Sequence, residues 1–179
     1  MSPFKTFNKV VIGILICAAG FSTSTFAQTN TPLTDPEIAS VAVTANQVDI
    51  GNADIAFAKS KDSSILKFAE TMKRDHQAVI DQAVALVTKL KVTPKDNTLS
   101  QKLLADAAKT KNMLQSKSGK AFDKAYIDNE VAYHKAVISV IETKLIPEAQ
   151  NAELKGLLQK VLPAFHAHLE HAEMIQKHY

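Results

Sequence analysis

The chain has almost no cysteine: one among 179 residues, Cys17. It has no tryptophan and only five glycines. Each shortage excludes something. A lone cysteine cannot close an intramolecular disulfide, so the fold must rest on its core. So few glycines leave no glycine-rich loop of the kind that cradles phosphates. A Cys-x-x-Cys-His motif is absent, so any haem would be held without covalent attachment. No stretch alternates apolar and polar residues for the length of a strand, which points away from sheets and barrels. No serine–histidine–acid set can be picked out by spacing, and nothing else nominates a catalytic residue. An enzyme of the hydrolytic kind therefore has little support, and the wider question of catalysis stays open.

The first residues form a separate unit. Lys5 and Lys9 precede an apolar run from Val10 to Phe21, and Thr25-Phe26-Ala27 supplies a small-residue exit. This is the three-part pattern of a secretory signal peptide, too short to span a bilayer of ~30 Å. Cleavage is expected after Ala27, giving residues 1–27 as signal peptide, 28–34 as a polar leader and 35–179 as one helical domain. The expected destination is the periplasm. Removing 27 residues from 179 leaves 152 and takes Cys17 with them. Lys+Arg falls from 21 to 19 against 18 Asp+Glu, a net of +1. Such balance gives no electrostatic footprint for nucleic acid.

What remains reads as helices. Thr34 or Asp35 can cap the first, with Pro36 in its first turn and Glu37 at the positive end of its dipole. Gly51 lies inside it, which a close helix–helix approach would explain. The second carries a heptad seam of Ile65, Ala69, Met72, His76, Val79, Ala83, Leu86 and Leu90. A lysine-rich stretch follows, with nine lysines and three acids from Lys89 to Lys124. It reads as a solvated connection with a short helix; weak contact with an anionic membrane surface is its sharper alternative. A third long helix runs from about Gly119 to Ile146, before Pro147. The last starts near Glu148, with a seam of Leu154, Leu158, Val161, Phe165, His168, Ala172 and Ile175, and Pro163 should bend it. The expected class is all-α: a ferritin-like four-helix bundle with one long crossover connection.

The seams are interrupted by ionisable groups. His76 replaces an apolar residue in a regular heptad. His168 does the same on the last helix, and His134 is flanked at helical spacing by Ile127, Glu130, Ile138 and Ile141. On the first helix the polar intruder is Asp49, on a face with Ala42, Ala45 and Ala56. All four fall near the middle of their helices, within ~10 Å along the axis at 1.5 Å per residue. Isolated buried charges cost several kcal/mol each, whereas clustered ones can satisfy one another. Three imidazoles and a carboxylate also suit a divalent metal such as zinc, iron or copper. The candidate ligands are therefore His76, His134, His168 and Asp49, with Glu130 or His171 as completing groups. The alternative is a non-catalytic stress-response or interaction protein whose buried His/Asp network is structural and pH-sensitive. A third idea, haem between two facing histidines, ranks lowest. His166 and His178 face outward.

The pattern resembles a known family, the bacterial exported proteins of domain of unknown function 4142. Met72, Asp75 and His76 carry the resemblance on the second helix. Phe122, Asp123, Tyr126 and His134 carry it on the third, and Pro163 with His168 on the last. The resemblance implies a ferritin-like helical fold and export, and its histidine positions map onto His76, His134 and His168. It implies no activity. Di-iron bundles use Glu-x-x-His, which this chain lacks, so iron storage and carboxylate-bridged oxygen chemistry find little support.

Overall fold

Helix ends are set by local chemistry. A computed structural model of the chain describes residues 31–179; the expected signal peptide lies outside the described residues. Helix α1 spans Asp35–Lys59. Glu37 closes its start by accepting from the Thr34 backbone N–H at 2.9 Å and from the Thr34 hydroxyl at 2.7 Å. Helix α2, Ser63–Leu90, is capped by Asp62, which accepts from the Ser64 N–H at 2.8 Å. It stops at Lys91, which adopts the left-handed conformation with φ 54°. Helix α3 spans Thr98–Gln115 behind an Asn97 cap. Helix α4, Gly119–Val140, widens into a π-helical turn, Ile141–Leu145, and ends with Ile146–Glu148. The wide turn lies just ahead of Pro147, which has no N–H to give the Thr143 carbonyl and whose ring would crowd it. Helix α5, Ala152–Gln176, begins at an Asn151 cap and continues through Pro163.

All the regular structure among the described residues is helical. Hydrogen bonds fix the directions. The α2–α3 connection docks on the start of α1: Lys95 N–H donates to the Pro36 carbonyl at 2.9 Å, and Ser40 Oγ to Asp96 Oδ1 at 3.1 Å. At the far end the Lys59 ammonium donates to the Gln115 carbonyl at 2.6 Å. Helix α3 therefore runs alongside α1 in the same sense. Ser60 Oγ donates to Asp123 Oδ1 at 2.6 Å, tying the start of α4 to the end of α1. Asp35 accepts from the Gln150 and Asn151 N–H groups, both at 2.9 Å, bringing the start of α5 back to the start of α1. Helix α1 packs on α2 and α4, α5 on α2 and α4, and α3 on α1.

Two apolar clusters fill the interior. One gathers Phe68, Met72, Phe122, Tyr126 and Ile127 with small residues such as Ala53 and Ala172. The other is nearly all aliphatic, with Ile38, Val41, Val137, Leu145, Leu154 and Leu158, and Phe165 its one aromatic. Met72 belongs to the first cluster and Phe165 to the second, and between them lie His76, Asp49, Glu130, His134 and His168, all buried.

Two expectations need correction. Helix α3 is no short piece of a solvated connection: it has 18 residues, buries Leu114 and Ser100, and packs Leu99 and Leu103 on the second cluster. Gly51 is exposed, and a Cβ built on it would meet nothing within 4 Å. No close helix approach explains it. In the lysine-rich stretch Lys89, Lys95, Lys102, Lys109 and Lys124 pair with Glu153, Glu37, Asp106, Asp106 and Asp128. Among the described residues no helix is long and apolar enough to cross a membrane.

Candidate metal centre

Each histidine of the polar layer has one ring nitrogen occupied by a partner that can only accept. Asn46 stands one turn before Asp49 on α1. Its amide N–H donates to the Ala42 carbonyl at 2.8 Å, which turns Oδ1 toward α2. That oxygen lies 2.8 Å from His76 Nδ1. An amide oxygen accepts, so His76 Nδ1 carries the proton and Nε2 holds a lone pair. On α4, His134 Nδ1 lies 2.9 Å from the backbone carbonyl of Glu130. This nitrogen too must donate, leaving Nε2 free. On α5, His168 Nε2 lies 3.0 Å from Asp75 Oδ2. Burial pushes the Asp75 carboxyl up, but Arg74, bonded at 2.8 Å, and His168 outweigh it and hold it below its ordinary range. Asp75 is thus an ionised acceptor, and His168 keeps its lone pair on Nδ1.

The three free nitrogens, His76 Nε2, His134 Nε2 and His168 Nδ1, are buried and have no hydrogen-bond partner. Each ring brings one ligand atom within 4.8 Å of those of the other two. The ring centroids stand 5.3 to 5.7 Å apart. Phe165 closes one side, 5.1 Å from the His76 ring and 6.3 Å from the His134 ring. All three imidazoles are held neutral. Burial takes His76 well below its usual range. It takes His134 to about 4, against the pull of the Glu130 carbonyl. It also lowers His168, with Asp75 opposing.

Asp49 faces two of these lone pairs. Its Oδ2 lies 3.4 Å from His76 Nε2 and 3.6 Å from His134 Nε2. The side chain is fully buried, and neither oxygen has a hydrogen-bond partner. Burial pushes its carboxyl up to about 8. Glu130, also fully buried, is raised well above its usual value by burial and then by Asp49. Its Oε2 is 3.7 Å from His134 Nδ1 and likewise unpartnered. Asp49, Glu130 and His134 form a second group whose ligand atoms lie within 4.8 Å of one another.

His76, His134, His168 and Asp49 thus converge, with Glu130 beside them. His171 does not join them; its ring packs edge-on against Phe68 with centroids 5.3 Å apart. His166 is exposed and faces Glu142 at 3.2 Å, and His178 is exposed. Sequence reasoning missed two residues. Asn46 was detectable, since a polar group one helical turn before Asp49 shares its face. Asp75 as the partner of His168 was not: it sits off the α2 seam and meets α5 only through packing.

No curated protein and no solved structure matches the chain. The model of a family described as Domain of unknown function (DUF4142) matches residues 21–175, most of the chain, and the protein belongs to that family.

Proposed function

We propose that this is an exported, ferritin-like bundle protein that binds one divalent transition metal, zinc, iron or copper, through His76 Nε2, His134 Nε2, His168 Nδ1 and the Asp49 carboxylate. One observation carries the reading. Three buried imidazoles from three helices each bring one nitrogen within 4.8 Å of the others, and each ring has one nitrogen on an acceptor and one without a partner. Unpaired buried polar atoms are costly, and a metal ion would satisfy these together. The acceptors Asn46, the Glu130 carbonyl and Asp75 are the outer partners that metal-bound histidines use to fix tautomer and orientation. Three nitrogens and one oxygen suit zinc, copper or iron better than magnesium or calcium. Bound metal would displace the proton that burial keeps on Asp49, and Glu130 stands ready to balance the remaining charge. The ferritin-like assignment draws support from α3 returning alongside α1, which makes it the long crossover of a bundle built from α1, α2, α4 and α5. Export draws support from the leader sequence.

A structural, pH-sensitive His/Asp network in a stress-response or interaction protein is the second reading. The depressed imidazole pKa values favour it, but it leaves one buried nitrogen on each of the three rings without a hydrogen-bond partner. Elemental analysis of protein purified from the periplasm without an affinity tag decides between them. The metal reading expects one metal per chain, lost in His134→Ala. Metal-free wild-type protein that takes up no zinc, iron or copper on addition would contradict it.

A further inference from the structure

Next to the polar layer the interior holds a cavity of about 190 Å³, lined by residues from all five helices. It is long. On α1 its lining runs from Ala39 to Asn52, and on α4 from Tyr133 to Leu145, about 20 Å and 18 Å of helix at 1.5 Å per residue. Its walls are mostly aliphatic, including Val79, Leu99, Leu103, Val137 and Leu158. Such walls give water little to bond, and a smaller apolar cavity of about 150 Å³ in another protein stays dry and admits benzene.

The polar groups at the inner end are mostly engaged. Asn46 bonds the Ala42 carbonyl and His76, and the Tyr133 hydroxyl donates to the Ala45 carbonyl at 2.8 Å. Asn52 differs. It lines the cavity and is 3% exposed; its Nδ2 faces the Glu130 carboxyl without a well-formed hydrogen bond and has two N–H groups to give. On the α3 side, Asp106 is held by Lys102 and Lys109. Among the described residues no cation lines the cavity, and an anionic headgroup at the inner end would approach Asp49 and Glu130.

We propose that this cavity binds an uncharged, single-chain aliphatic molecule, its hydrocarbon laid along the bundle and one hydrogen-bond acceptor taken by Asn52 Nδ2. The site requires no metal, and the test is run in chelator so that its outcome is separate from that of the metal reading. Isothermal titration of purified protein with decanol is expected to show saturable binding of one molecule per chain. Decanoate should bind at least tenfold more weakly. Ala42→Leu and Ala83→Leu, which fill the cavity from α1 and α2, should each weaken decanol at least tenfold. Asn52→Ala should weaken it about five- to tenfold, one hydrogen bond's worth. Should the filling variants fail to fold, xenon taken up saturably by the wild-type protein, read by xenon NMR, supports the cavity. Absence of saturable decanol or xenon binding overturns the proposal. So does decanoate binding as tightly as decanol, or undiminished decanol binding in folded filling variants.

Discussion

The two apolar clusters flanking the polar layer are built on different plans. The cluster around Phe68 stacks Phe122 on Tyr126 with centroids 6.2 Å apart and leaves Phe68, Met72, Tyr126 and Ile127 with no exposure. The cluster around Leu158 has one aromatic and borders the cavity. One half supplies close packing; the other keeps space beside the histidines. Close packing and open space are thereby separated along a single core, with the ionisable layer at their junction.

Truncation should expose this contrast most strongly. Phe68→Ala is expected to cost about 3–5 kcal/mol. Leu158→Ala, beside an existing void, should fall at or below the low end of the ~2–5 kcal/mol range for leucine truncation. Urea denaturation measures both, and equal losses would erase the difference between the halves. Enlargement should do the reverse. Ala69→Leu, in the tight half, is expected to cost about 1–3 kcal/mol, whereas Ala42→Leu should be neutral or stabilising. Next comes the support of the candidate ligands. Asp75→Asn and Asn46→Ala should each weaken zinc binding about 10–100-fold while leaving the far-ultraviolet spectrum unchanged. Unaltered zinc affinity would remove these two residues from the site.

The smallest effect is pH dependence in the metal-free protein, where two groups oppose each other. The histidines have folded pKa values below the unfolded ~6.5, about 4 for His134. The unfolded chain therefore binds more protons in that window, and stability falls as pH drops from about 6.5 towards 4. Asp49 has a folded pKa raised to about 8. The folded chain binds more protons above the unfolded ~3.9, so this contribution is lost as pH rises through 8. Denaturation midpoints from pH 4 to 9 should pass through a maximum. Asp49→Asn should flatten the fall above about pH 6.5 and steepen the acid limb, because the extra proton on Asp49 is held from about 4 to about 8; an unchanged alkaline limb would remove Asp49 as its source.

Much of this was legible beforehand because it is periodic or local. The seams on α2 and α5 repeat in fours and threes, so an intruding His76 or His168 stands out. Thr34 and Glu37 announce the start of α1 by their spacing. What was hidden depends on packing between distant segments. Nothing near Asp75 shows that α5 will bring His168 within 3.0 Å. The π-helical turn before Pro147 keeps a helical pattern, and α3 reads as solvated because lysine stems and paired charges mask Leu99, Leu103 and Leu114. Gly51, exposed with open space around it, has no structural account here.

If His76, His134 and His168 share one ion, crystals soaked in zinc and measured at the zinc absorption edge will reveal it. One anomalous peak per chain is expected inside the bundle, bonded to His76 Nε2, His134 Nε2 and His168 Nδ1 at about 2.0–2.1 Å, with Asp49 completing the shell. Density only at surface pairs such as His166 and Glu142, with none between the three rings, would contradict it.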